Sequence, residues 1–190
     1  MLNRRTFMAG GAISFLFADR AFSQELDKVI NIYEKRGRYP QVGIDRIWLK
    51  RNNEEATIIY RDFQNNTIYP RECFRLSYFW RDVSENRAAP ISIELFDVVS
   101  RTQTLLSEVF DKSLPVIITS GYRTEKHNRT LEGAAQNSEH LRGRAIDLVL
   151  PTITPQQVAL AGIRAGAGGV GVYKNFTHLD VGQVGRRWHG

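Results

Sequence analysis

The chain has 190 residues, with 26 lysines and arginines against 20 acidic residues and a formal net charge of +6. That length suits one domain around a single core. The basic excess comes with no basic–aromatic interleaving and no motif that would argue for nucleic acid.

The first segment is set apart from the fold. Asn3-Arg4-Arg5-Thr6-Phe7-Met8 carries a twin arginine, followed by a weakly apolar run from Ala9 to Ala18 and a small-x-small sequence, Ala21-Phe22-Ser23. This resembles a twin-arginine export signal. It implies a leader over 1–23, a domain over 24–190, a periplasmic destination and the twin-arginine export machinery as partner of the precursor. An uncleaved N-terminal anchor is the other reading. The apolar run is about half of the roughly 20 residues that a membrane span needs, and no later segment is long and apolar enough, so no span is expected in the mature protein. The leader holds two of the six net positive charges. The remaining excess is compatible with an anionic polymer such as the cell wall.

Residues 24–42 are polar and mixed, an arm or a short helix. Ile47-Trp48-Leu49 and Thr57-Ile58-Ile59-Tyr60 flank Asn52-Asn53 and predict a β-hairpin. Arg71 to Asp82 predicts a helix with Cys73, Leu76, Phe79 and Trp80 on one face. Cys73 is the only cysteine, which excludes an internal disulfide and marks it as a small core residue. Ser92 is the expected N-cap of a longer helix to about Phe110, with Phe96, Val99, Leu106 and Phe110 facing in.

Leu114 to Thr119 is a short β-branched apolar run, hence a buried strand, ending at a Ser120-Gly121-Tyr122-Arg123 loop. Thr124 can cap the short helix that follows. Arg144–Leu150 predicts a strand. Thr154-Pro155 opens a helix to about Gly166, and Gly169–Tyr173 and Phe176–Val181 predict two more strands. The order argues for an α+β fold with a small, mostly antiparallel sheet flanked by helices.

The chemistry lies late in the chain. Of the four histidines, His140 precedes Asp147 by seven positions, and His178 follows in Thr177-His178-Leu179-Asp180. Two imidazoles and a carboxylate suit a zinc ion that keeps one position open for water, as in a hydrolase. Strand alternation puts Ala145, Asp147 and Val149 on one face, and Phe176, His178 and Asp180 on one face of the last strand. If these strands are neighbours, Asp147 and His178 meet. His140 enters from the preceding loop, and Gly143 lets the backbone turn.

Ser120-Gly121-Tyr122-Arg123, then Ser138-x-His140-x-x-Gly143-x-Ala145-x-Asp147, then His178-x-Asp180 resemble the zinc D-alanyl-D-alanine peptidase superfamily, and within it the murein endopeptidase K-like branch. The hairpin, Trp80-Arg81-Asp82 and Ile93-Glu94-Leu95-Phe96-Asp97 share the likeness. The resemblance implies a Hedgehog/DD-peptidase-like fold and hydrolysis of peptide cross-links in peptidoglycan stem peptides. It implies His140, Asp147 and His178 as zinc ligands, Arg123 as the group facing the carbonyl and the developing oxyanion, and Ser138 as a substrate-holding residue.

The chain departs from part of the superfamily at Asn175, where several members carry a glutamate base. Asp180 is the nearest ionisable replacement, either as general base or as an acceptor for the outer N–H of a ligand histidine. Neither Arg186 nor Arg187 is given a role. A carboxypeptidase trimming a terminal D-amino acid and a non-catalytic zinc-containing wall-binding module are the competing readings. The first would need a cation for the terminal carboxylate, with Arg142, Arg144, Arg186 and Arg187 available.

Overall fold

A computed structural model describes residues 20–35, 46–62 and 64–190. The twin-arginine motif and the apolar run therefore lie outside the described residues, as does the end of the expected arm. Helix α1 (Arg20–Lys35) begins before the expected cut after Ser23, and its Phe22 and Leu26 are buried. Phe22 stacks on Phe110 with ring centroids 5.9 Å apart.

The hairpin forms as β1 (Arg46–Arg51) and β2 (Glu54–Ile59), turning at Asn52 with φ 52°. Two short strands follow, β3 (Arg61–Asp62) and β4 (Thr67–Ile68), which the sequence did not announce. Helix α2 (Pro70–Phe79) is shorter than expected. It ends because Trp80 turns into the core at zero exposure, edge-on to Phe96 at 4.9 Å. Asp82 then pairs with Arg87 across a tight bend. Ser92 does precede α3 (Ile93–Val109), but its side chain makes no capping bond.

Helix α3 carries the chain across to β5 (Val116–Ser120), parallel to β1. Then come α4 (Glu125–Thr130), a 3-10 turn (Glu139–Arg142), β6 (Ala145–Val149), α5 (Pro155–Arg164), β7 (Gly169–Val172), β8 (Thr177–Asp180) and β9 (Arg186–His189). Thr124 and Thr154 cap α4 and α5 as expected, Thr154 in a capping box with Gln157. The main sheet runs β2-β1-β5-β6-β8-β7-β9. Four of its six pairings are antiparallel, the exceptions being β1–β5 and β7–β9. The α+β expectation therefore holds. Strand β9 is the one strand of the main sheet that sequence reasoning left out.

One sheet face is apolar. Ile146, Leu148, Val170 and Leu179 are buried there. A methyl group on Gly162 of α5 would meet Leu179 at 2.5 Å, which is how closely helix and sheet pack. The opposite face carries the polar residues, and the register sets them in a row. Ser120 pairs with Asp147, Asp147 with His178, His178 with Gly171 and Gly171 with Trp188. Two residues along the strands, a second row runs Ala145, Asp180, Gly169, Arg186. A bulge between Ile118 and Ser120 lets Ser120 join the first row.

Candidate metal centre

Three side chains converge at the middle of the first row. His140 Nε2 lies 3.2 Å from Asp147 Oδ1 and 3.2 Å from His178 Nδ1, and His178 Nδ1 lies 2.8 Å from Asp147 Oδ1. All three residues are buried. The outer nitrogens fix which atoms face inward. His140 Nδ1 donates to the Gly121 carbonyl at 2.6 Å, an acceptor only, so Nε2 is left bare. His178 Nε2 donates to Asp180 Oδ2 at 3.1 Å, which in the neutral imidazole leaves Nδ1 bare.

With both imidazoles neutral, three lone pairs point at one another, an arrangement that a bound cation would satisfy. A tetrahedral zinc with ligands at 2.0–2.1 Å implies ligand–ligand edges of about 3.3 Å, and the observed triangle is close to that. The donor set therefore fits a zinc ion with one position open to the cleft.

The electrostatics couple the three groups, and a cation bound among them would take the place of a proton on His178. Burial works first against every charge here. It dominates at His140 and lowers that imidazole. At Asp147 the two histidines outweigh burial and lower the carboxyl well below its ordinary range. At His178 the Asp147 and Asp180 carboxylates outweigh burial and raise the imidazole.

The sheet supplies Asp147 and His178, and loops supply the rest. Gly143 ends the 3-10 turn in the left-handed region, φ 64°, so His140 can approach from above before β6 begins. Gly121 approaches the Trp80 carbonyl so closely that a Cβ would sit 2.3 Å from its oxygen. Arg123 donates from Nε to Ser120 Oγ at 2.8 Å and from Nη2 to Asp147 Oδ2 at 2.5 Å. It is mostly buried and lines a cleft of about 660 Å³ together with His140, Asp147 and His178. Ser138 also lines the cleft, and its hydroxyl accepts from the His140 amide at 3.3 Å.

Asp180 stands apart from the cleft. It has no exposure, and both oxygens are taken: Oδ1 by the Gly169 and Gly182 amides, Oδ2 by His178 and by Arg186 Nη2 at 2.6 Å. Burial alone would raise its carboxyl, but the bonds from His178 and Gly182 and the nearby charges hold it at about 2.

Sequence reasoning missed Trp188 and the glycines beneath it. The Trp188 ring lies 5.1 Å from His178, and its Nε1 donates to Tyr173 Oη. A Cβ on Gly171 would sit 2.4 Å from that indole, and one on Gly169 would sit 2.1 Å from the Asp180 carboxylate. The available signal was the alternation of Gly169 and Gly171 in a strand, which marks close approach by something else.

Asp82 ties the second loop down. Its buried carboxylate accepts from Ser84, from the Thr124 amide and from His127 Nδ1. This fixes the segment carrying Arg123 against the end of α2. Burial opposes the charge, but these bonds win and hold the carboxyl at about 2, below its ordinary 3.8. A depressed carboxyl stabilises the fold above its ordinary pKa and loses that contribution as pH falls from about 4 to about 2. Asp82→Asn is therefore expected to cost about 1–3 kcal/mol at pH 7, with the deficit shrinking below pH ~4. Urea titrations at several pH values check this; a deficit independent of pH would deny the carboxylate its role.

The comparisons with known proteins point the same way. The family model described as peptidoglycan L,D-endopeptidase MepK matches residues 46–188. The chain is 34% identical over 132 residues to the peptidoglycan L,D-endopeptidase MepK of Escherichia coli strain K12, covering 66% of this chain and 70% of that protein. It is 32% identical over 122 residues to a probable peptidoglycan L,D-endopeptidase MepK of Haemophilus influenzae, covering 61% of this chain and 63% of the other.

Proposed function

The chain belongs to the peptidoglycan L,D-endopeptidase family, and from that premise we propose that it is a zinc peptidase hydrolysing the peptide cross-links of bacterial cell-wall peptidoglycan. The observation that carries the reading is the triangle of bare lone pairs on His140, Asp147 and His178, opening onto a cleft. These three residues would hold the ion. Bound there, zinc supplies Lewis-acid polarisation of the scissile carbonyl and acidifies a water.

The chain's own residues do the rest. Arg123, anchored by Ser120 and Asp147, presents the remaining face of its guanidinium to the negative charge that develops on the carbonyl oxygen. Ser138 lies beside the scissile position and holds the substrate near the ion. Asp180, sealed behind His178, orients that imidazole and keeps its Nδ1 bare. The proton-accepting role then passes to another group facing the cleft, where Glu132 and Glu139 are the carboxylates besides Asp147. His127 is not among the cleft residues.

Asp180→Asn separates its two roles. With Asp180 as an orienting group, zinc affinity is expected to fall about 10–100-fold and activity to return with excess metal. A loss of ~10²–10⁴-fold in turnover at full zinc occupancy would instead make it the base. Zinc titration beside a rate measurement decides.

The decisive test of function is digestion of purified sacculi with the purified protein. Mass spectrometry is expected to show cross-linked dimers converted to monomers. Release of single terminal residues would make it a carboxypeptidase, and binding without fragments a wall-binding module. Action on the wall places the protein outside the cytoplasm. No helix among the described residues is long and apolar enough to cross a membrane. The twin arginine at Arg4-Arg5 supports export of the 24–190 domain by that route, which fractionation of cells carrying a tagged precursor tests.

A further inference from the structure

Five arginines surround the site, and the structure sorts them. Arg142 and Arg144 are drawn to Glu139, at 3.3 and 3.5 Å, and Arg144 also donates to the Val181 carbonyl. Arg187 is spent on backbone carbonyls, of Gly168 and Arg186 at 2.6 Å and of Ala167 at 3.4 Å. Arg123 serves Ser120 and Asp147. Arg186 is different. It lines the cleft with His178 and Asp147, its side chain is 42% exposed, and only Nη2 is engaged, on Asp180. Its Nε is buried with no hydrogen-bond partner among the described residues.

The guanidinium is also held in place. Asp180 fixes one nitrogen, and the Trp188 ring lies beneath, 5.2 Å from the guanidinium carbon. Trp188 is in turn held by Tyr173, which stacks on Phe176 at 4.3 Å. A fixed guanidinium whose Nη1 is unused, beside an aromatic wall at the edge of a cleft, matches a carboxylate. Preorganisation of this kind removes the entropy that a free surface arginine would lose on binding.

We propose that Arg186 is the anchor for a free carboxylate on the substrate, so that the cleft selects peptides bearing an unamidated carboxylate close to the scissile bond. The inference rests on the peptidase reading above and names its substrate class. The carboxylate has two possible sources: the side chain of a residue within the cross-link, or the chain terminus.

The test uses the zinc-loaded enzyme and sets of purified stem-peptide dimers that differ only in amidation, at the side-chain carboxylate or at the terminus. The parent is expected to favour the free form of one pair by about 10–100-fold in kcat/KM, expressed mainly in KM. The pair that shows the preference identifies the source. In Arg186→Gln the preference should collapse towards one, with zinc content as in the parent, and Arg186→Lys should restore part of it. Equal cleavage of free and amidated forms by the parent would overturn the proposal. So would an undiminished preference in Arg186→Gln, or a loss common to all substrates that follows loss of zinc, since Arg186 would then act only through Asp180. Failure of the parent to cleave any dimer would instead remove the endopeptidase reading beneath it.

Discussion

Replacing His178 by alanine is expected to abolish sacculus digestion and to strip the protein of metal. The parent should carry about one zinc per chain, and the variant a small fraction of that. The imidazole supplies one of three bare lone pairs within 3.2 Å of each other, and no other histidine or carboxylate joins that group among the described residues. The loss should exceed the roughly 10–100-fold in affinity that removal of an outer hydrogen-bond partner brings. The variant should still fold. Leu179 and Thr177 keep β8 in the core, and truncating His178 opens space towards the cleft, Trp188 and Asp180, whose carboxylate keeps Arg186 and the Gly169 and Gly182 amides. Elemental analysis with a circular dichroism spectrum separates loss of metal from loss of fold. Full zinc occupancy in the variant would exclude His178 from the site.

Arg123→Gln is expected to lower kcat by about 10²–10³-fold, the usual effect of removing one donor to a developing oxyanion. KM should change little, because the interaction strengthens as charge develops on the carbonyl oxygen. Zinc should remain, since Asp147 keeps Oδ1 directed at the two histidines when Oδ2 loses its partner. A rise in KM with unchanged kcat would make Arg123 a substrate-binding group instead. A fall in zinc content in step with activity would make it a support for Asp147.

Much of this site was legible because it sits on regular strands. Period-two alternation puts Asp147 and His178 on the polar faces of two strands, and only adjacency had to be supplied by the fold. Gly143 announced the turn that brings in His140. What stayed hidden depends on tertiary packing. Asp180 follows His178 by two residues, so the sequence puts it on the right face. Whether its carboxylate looks into the cleft or into the protein is decided by the Gly169 and Gly182 amides and by Arg186. Arg186 and Trp188 were opaque for a related reason. Strand β9 is four residues long and basic, with none of the apolar alternation that marks a half-buried strand, and it is held by parallel pairing to β7 alone. The early end of α2 has the same origin: Trp80 continues the helical apolar pattern but leaves the helix to fill the core.

The bare face of β7 has a consequence for the order of the site. Its sequence is Gly-Val-Gly-Val, and the interior glycine, Gly171, forfeits roughly 0.5–1 kcal/mol in backbone entropy relative to alanine. The strand that leaves room for Asp180 and Trp188 is thus among the least self-supporting segments of the sheet. Its order comes from hydrogen-bonded neighbours on both sides, β8 and β9, and from Val170 and Val172 in the core. Because β9 is an edge strand of four residues, local opening of this half begins there, and β7 loosens with it. Amide hydrogens of β7 should then exchange on the timescale of β9 and not on that of β6. Release of Trp188 would also remove the ring packed beside His178, so the C-terminal edge governs how long the imidazole stays aligned.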